Sequence, residues 1–147
     1  MSGLLSPDIR LRETLRCGTF FDFVQLPAAV PTTLSATGQA ALQRSYDSAY
    51  SNFRLSDYPS AIRGFDAFLK SYSKHALAPN AQYWIGESYA RLRQYRDAID
   101  AERRLLDTYP DSAKAPDALL IIGTAESALG DNPAARKTFE VLAPTEN

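Results

Sequence analysis

Residues 58–72 read YPSAIRGFDAFLKSY, and residues 95–109, 37 positions later, read YRDAIDAERRLLDTY. Tyr58, Ala61 and Tyr72 return as Tyr95, Ala98 and Tyr109, and one further step reaches Asn132 and Ala135. A separate column, Ala49, Gly86 and Gly123, keeps the same period. Several columns on one period mark a repeated structural unit far more firmly than any single motif. Each unit holds two stretches with helical spacing. Helices are predicted over 40–55 and 58–72, then 78–92 and 95–109, then 115–129 and 132–143. The breaks between them have a chemical cause. Asp57 stands before Tyr58 and Pro59, and Asp131 before Asn132 and Pro133. A carboxylate at the cap followed by proline suits a helix start, because the first amides have no intrahelical acceptor to lose. Ala78-Pro79 and Ala115-Pro116 mark two more starts in the same way.

The residue sizes in these columns point to helical hairpins. Gly86 and Ala98 let two backbones approach, with Ile85, Tyr89, Leu105 and Leu106 around the contact. Ala49, Ala61, Phe65 and Phe68 do this in the first unit, and Ile122, Gly123, Ala135, Phe139 and Leu142 in the third. One hairpin cannot bury its apolar face alone, and about three stacked units are needed for a stable core. A small residue on the first helix, a small one on the second, an aromatic one turn later and a closing proline together resemble the tetratricopeptide repeat (TPR). The expected fold is all-α: three tandem TPR-type repeats, over 40–74, 77–111 and 114–143, forming a short right-handed superhelix. They make up a domain of residues 39–147, preceded by a poorly patterned segment, 1–38. Two positions depart from the pattern: Ser73 stands at a proline place and Glu102 at the aromatic place of the second unit. Glutamate is almost never fully buried unpaired, so Glu102 is expected to lean into solvent, with Ala101 or Leu105 filling the gap; the competing reading is a functional buried carboxylate.

The first 38 residues carry no sustained period. Ser6-Pro7 suits the start of a short helix over Asp8–Arg16, Phe20, Phe21, Phe23 and Val24 suit a short packed stretch, and residues 27–33 suit a linker. No basic opening leads into an apolar stretch, so no signal peptide is recognisable.

Composition excludes several function classes. The 147 residues carry a formal net charge of −1, with 16 Lys and Arg against 17 Asp and Glu. No basic cluster is available for nucleic acid or an anionic membrane surface, and no apolar run of about 18 residues could span a bilayer. Cys17 is the only cysteine and His75 the only histidine, which excludes an intramolecular disulfide and a Cys/His metal centre. His75 is expected in a solvated loop between the first two units. Asp97, Asp100 and Asp107 alternate with Arg96, Arg103 and Arg104, a pattern of solvated helical ion pairs. No phosphate loop, nucleophile elbow or metal spacing is present. The reading is non-catalytic, with no cofactor and no metal.

Certain strings narrow the resemblance. LAPNAQYWIGE covers 77–87, preceded by YDSAY at 46–50 and followed by YPDS at 109–112 and KAPDALL at 114–120. With a period longer than the usual 34 or so, they resemble the C-terminal TPR domain of the Tol–Pal system accessory proteins, the YbgF/CpoB family of cell division coordinators, over about residues 44–142. That resemblance implies a periplasmic, non-catalytic scaffold that binds TolA and helps coordinate outer-membrane constriction with septal peptidoglycan synthesis. Its expected partners are a TolA-like envelope protein and the peptidoglycan synthase complex, with homo-oligomerisation as a further association. The family's signal peptide and trimerising coiled coil have no counterpart in the pattern of residues 1–44. The alternatives are a TPR component of an outer-membrane protein assembly machine or a general TPR adaptor.

In a TPR stack the first helices line a concave face, and helical spacing selects the residues that point into it. Here these are Tyr46, Tyr50, Phe53 and Arg54 in the first unit, Asn80, Tyr83, Glu87 and Arg91 in the second, and Asp117 and Thr124 in the third, with Ala90, Leu120 and Ile121 beside them. They form the candidate protein-binding groove. Tyrosine suits an interface because it offers large contact area with few rotamers to freeze. The competing reading has Tyr46 and Phe53 packing against the N-terminal segment or merely capping the core. The lysine and asparagine clamp of chaperone-binding TPRs is replaced by Tyr46, Tyr50 and Asn80.

Overall fold

The second helix of each hairpin starts on the 37-residue period, at Tyr58, Tyr95 and Asn132, and the first helix ends on it, at Arg54, Arg91 and Ala128. A computed structural model describes residues 34–144; the expectations for residues 1–33, including Cys17 and the helix over Asp8–Arg16, lie outside that span. Among the described residues there are six helices and no strand. They are α1 (Ala36–Arg54), α2 (Tyr58–Tyr72), α3 (Ala78–Arg91), α4 (Tyr95–Thr108), α5 (Ala115–Ala128) and α6 (Asn132–Leu142). The all-α repeat architecture is the one the sequence predicts. α1 starts at Ala36, four residues ahead of the predicted start. Gly38 lies within it, because one helical glycine costs only about 1 kcal/mol relative to alanine.

Each hairpin turn is built the same way. Ser56, Arg93 and Gly130 stand 37 apart and all adopt positive φ, at 62°, 60° and 84°. Each ends a helix in a Schellman arrangement. In the first, the Ser56 amide bonds the Phe53 carbonyl and the Asp57 amide bonds that of Asn52. Arg93 to Ala90 with Gln94 to Tyr89, and Gly130 to Ser127 with Asp131 to Glu126, repeat the pair. The residue after the turn then caps the next helix. Asp57 accepts from the Ser60 amide at 3.2 Å and Asp131 from the Ala134 amide at 3.1 Å. Gln94 has the same backbone angles and no side-chain cap.

The connections between hairpins are periodic as well. The amides of His75 and Ser112 bond the carbonyls of Tyr72 and Tyr109, and the amides of Ala78 and Ala115 bond those of His75 and Ser112. His75 Nδ1 accepts from the Leu77 amide at 3.1 Å, and Ser112 Oγ takes the same part with the Lys114 amide. His75 is therefore a half-buried turn residue, edge-on to Phe68, not the solvated side chain the loop position suggests. The imidazole nitrogen serves as a capping acceptor because the turn leaves that amide without a backbone partner. Neither α3 nor α5 has a side-chain cap at its own start.

Packing runs along the stack. Leu42, Ala49, Ala61, Phe65, Phe68, Ala81, Ile85 and Ala101 form one buried cluster, and Ile99, Ile122 and Ala125 a second. Polar ties reinforce the seams. Gln82 Nε2 donates to the Ala101 carbonyl across α3 and α4, and the Tyr109 hydroxyl donates to the Ser73 carbonyl at 2.8 Å. α3 touches α2, α4 and α5, so consecutive first helices lie side by side. On the last helix Val141 is 70% exposed, while Leu142 is half-buried.

Candidate protein-binding groove

The period places side chains of three first helices in shared columns: Tyr46, Tyr83 and Leu120 in one, Tyr50, Glu87 and Thr124 in another. Where α3 meets α5 these columns enclose a cleft of about 480 Å3. Tyr83, Glu87, Ala90 and Arg91 of α3 line one side, Asp117, Leu120, Ile121, Thr124 and Ala125 of α5 the other, and Tyr95 of α4 also contributes to the lining. Five of the ten predicted groove residues thus meet in one place: Tyr83, Glu87, Arg91, Asp117 and Thr124. The walls are apolar with a charged rim. Arg91 Nε lies 2.8 Å from Glu87, and Lys114 Nζ lies 2.9 Å from Asp117 while sitting 4.6 Å above the Tyr83 ring. Burial, helped by the nearby carboxylates of Glu87 and Asp117, pushes the Tyr83 hydroxyl up to about 12, so it acts as a neutral donor at any physiological pH. Leu120, 54% exposed, offers the rim an apolar anchor.

Tyr50 and Arg54 belong to a second, more polar cleft of about 530 Å3 with Asp47, Ser51 and Leu55. The other predicted residues are more inward. Tyr46 packs edge-on against Phe65 and Phe68, and its hydroxyl accepts from Trp84 Nε1 at 3.0 Å. Burial raises its pKa, opposed by hydrogen bonds from Trp84 and Asn80, which also locates the Asn80 amide. Phe53 packs against Tyr50, Tyr58 and Trp84, with its centroid 4.8 Å from the indole. Tyr46, Phe53 and Asn80 therefore form the seam between the first two repeats. Trp84, absent from the predicted set, is the centre of that seam. The signal for it was the crowd of aromatics at Tyr46, Tyr50 and Phe53, which need a partner from the next unit.

The Glu102 expectation is overturned. Its side chain is 0% exposed, and neither carboxylate oxygen has a hydrogen-bond partner. Period outranks residue type here: Phe65, Glu102 and Phe139 are one column, and the packing of the stack carries that position inward. A Cβ on Gly86 would collide with the Glu102 carboxyl, as a Cβ on Gly123 would meet the Phe139 ring at 2.6 Å. The acid fills the place of the ring. Burial, with Glu87 and Asp117 adding to it, pushes Glu102 up to about 9. Glu126, the other buried acid among the described residues, contrasts with it: it accepts from Thr138 Oγ1 at 2.7 Å and Arg103 at 3.4 Å.

Among the described residues no group of His, Cys, Asp and Glu could hold a metal ion, and no helix is long and apolar enough to cross a membrane. Tetratricopeptide-repeat family profiles match residues 46–113 and 117–143. Cell division coordinator CpoB of Pseudomonas putida strain KT2440 is 38% identical over 58 residues, and a second Pseudomonas putida sequence of the same name matches equally. The match covers 39% of this chain and 22% of the length of those relatives. With its repeat profiles, its two-helix period and this likeness, the chain belongs to the tetratricopeptide-repeat family, with a repeat domain like that of the cell division coordinators.

Proposed function

We propose that the chain is a periplasmic scaffold that holds a Tol–Pal envelope protein, of the TolA kind, in the groove formed by its first helices, and that this contact serves cell division. The observation that carries the reading is the α3–α5 cleft: an apolar trough with paired charges along its rim and a neutral tyrosine hydroxyl in its wall. Such a trough suits an extended or helical partner segment that buries one large apolar side chain while its backbone reaches polar groups. The name of the matched relatives supports a role in division. The reading assigns the ten groove residues two parts. Tyr50, Arg54, Tyr83, Glu87, Arg91, Asp117 and Thr124 meet the partner; Tyr46, Phe53 and Asn80 hold the wall behind them.

The test is calorimetric titration with the periplasmic portion of TolA from the same organism. Leu120→Ala and Tyr83→Ala should each weaken binding by more than about 1 kcal/mol, while an exposed convex change, Arg104→Ala, should not. Equal affinities across the three variants would move the site off the groove. No binding by the wild type would reject TolA as partner and favour a general TPR adaptor or a part of an outer-membrane assembly machine.

A further inference from the structure

We propose that Glu102 is a proton-held latch of the middle repeat. As the uncharged acid it completes the α3–α4 interface. When it loses its proton it leaves that slot and loosens the hairpin that carries the Tyr83 and Glu87 wall of the cleft.

The geometry comes first. Glu102 occupies the ring position of its column, against Gly86, fully buried, with both oxygens unpartnered. An ionised carboxylate with no donor is among the costliest groups a core can hold, and such a group takes up a proton instead. The surroundings worsen the case for the anion. Glu87 on α3 and Asp117 on α5 face it with negative charge, and the Tyr83 phenol is neutral. Among the described residues Lys114 is the cation that opposes this, and it is engaged with Asp117 and the Tyr83 ring. Glu126 shows what the same chain supplies to another buried carboxyl group: a hydroxyl and a guanidinium as hydrogen-bond partners.

The sign of the pH dependence follows. The unfolded side chain releases its proton near the ordinary value of 4.5, the folded one near 9. Between those values the native state binds one proton more than the unfolded state. Stability therefore falls as pH rises, by a factor of ten in the folding constant per pH unit. A carboxylate held by an ion pair gives the opposite slope. Above the folded value the native state must carry the charge, and the latch opens.

The experiment uses the full chain as wild type, Glu102→Gln and Glu102→Phe. Urea unfolding is followed across the window from 4.5 to about 9, with infrared spectra at neutral pH. The wild type should lose one proton's worth of slope relative to both variants, and should alone show the carbonyl stretch of an un-ionised buried acid. Amide exchange, corrected for its intrinsic pH dependence, should rise at the alkaline end in α3 and α4 before α5 and α6. If Glu102→Gln fails to fold, Glu102→Phe, which restores the ring of the flanking repeats, carries the comparison. Parallel pH profiles in wild type and variant, absence of the un-ionised band, or uniform loosening of all helices would each overturn the latch.

Discussion

Gly86→Ala is the sharpest test of how the middle hairpin is packed, because its effect should change sign with the identity of residue 102. In the wild type the added Cβ would stand 2.6 Å from Glu102 Cδ and 2.8 Å from Cγ, closer than real contacts allow. The acid is fully buried, so its carboxyl must shift within the α3–α4 interface to make room. Overpacking of this kind costs about 1–3 kcal/mol. Against that, replacing a helical glycine by alanine contributes about 0.5–1 kcal/mol. The net expectation is a loss of up to about 2.5 kcal/mol. In a Glu102→Ala background the obstruction is gone, and the same substitution should stabilise by about 0.5–1 kcal/mol. The two substitutions should thus couple by about 1–3 kcal/mol in a double-mutant cycle. Urea denaturation of the four proteins measures it, with the m-value checked for constancy. Additivity within about 0.5 kcal/mol would mean that Glu102 does not lie against Gly86.

Three further outcomes follow from the repeat geometry. Gln94 shares the cap backbone of Asp57 and Asp131 without their side-chain bond, so Gln94→Asp should raise stability by about 1 kcal/mol, and Asp57→Ala should lower it by a similar amount; thermal melts read both. Tyr46→Phe breaks the hydrogen bond from Trp84, costing about 1 kcal/mol; Trp84→Phe should cost more, because it also removes ring contacts with Tyr50, Phe53 and Tyr83, and the double variant should cost less than the sum. Phe68→Ala should cost about 3–5 kcal/mol, whereas Phe139→Ala should cost clearly less because that ring is 38% exposed.

The fold was legible because its signals are local and repeated. Asp57, Pro59, Asp131 and Pro133 state their helix starts outright, and α2 spans the predicted 58–72. The start of α1 was not legible, since no proline follows Ser35 and Gly38 stands within the first turn. Glu102 sat under two conflicting signals: its charge argued for solvent and its column for the core, and the column prevailed. Half of the groove set meets in the α3–α5 cleft because the period alone fixes which side chains line neighbouring first helices. Tyr46 and Phe53 turned inward because their fate depends on Trp84, 38 and 31 positions on, and no local spacing encodes a contact across a repeat seam.

The seam around Trp84 also makes the molecule report on itself. This single indole touches Tyr50, Phe53 and Tyr83 at 5.0, 4.8 and 5.1 Å and donates to Tyr46, all on α1 and α3. Its emission is therefore an optical gauge of one joint in the stack and is insensitive to the far end. Because a linear array can unzip from a terminus, fraying of α5 and α6 would dim the helical circular dichroism while the fluorescence stayed native. Coincident curves would instead show that the three hairpins melt as one.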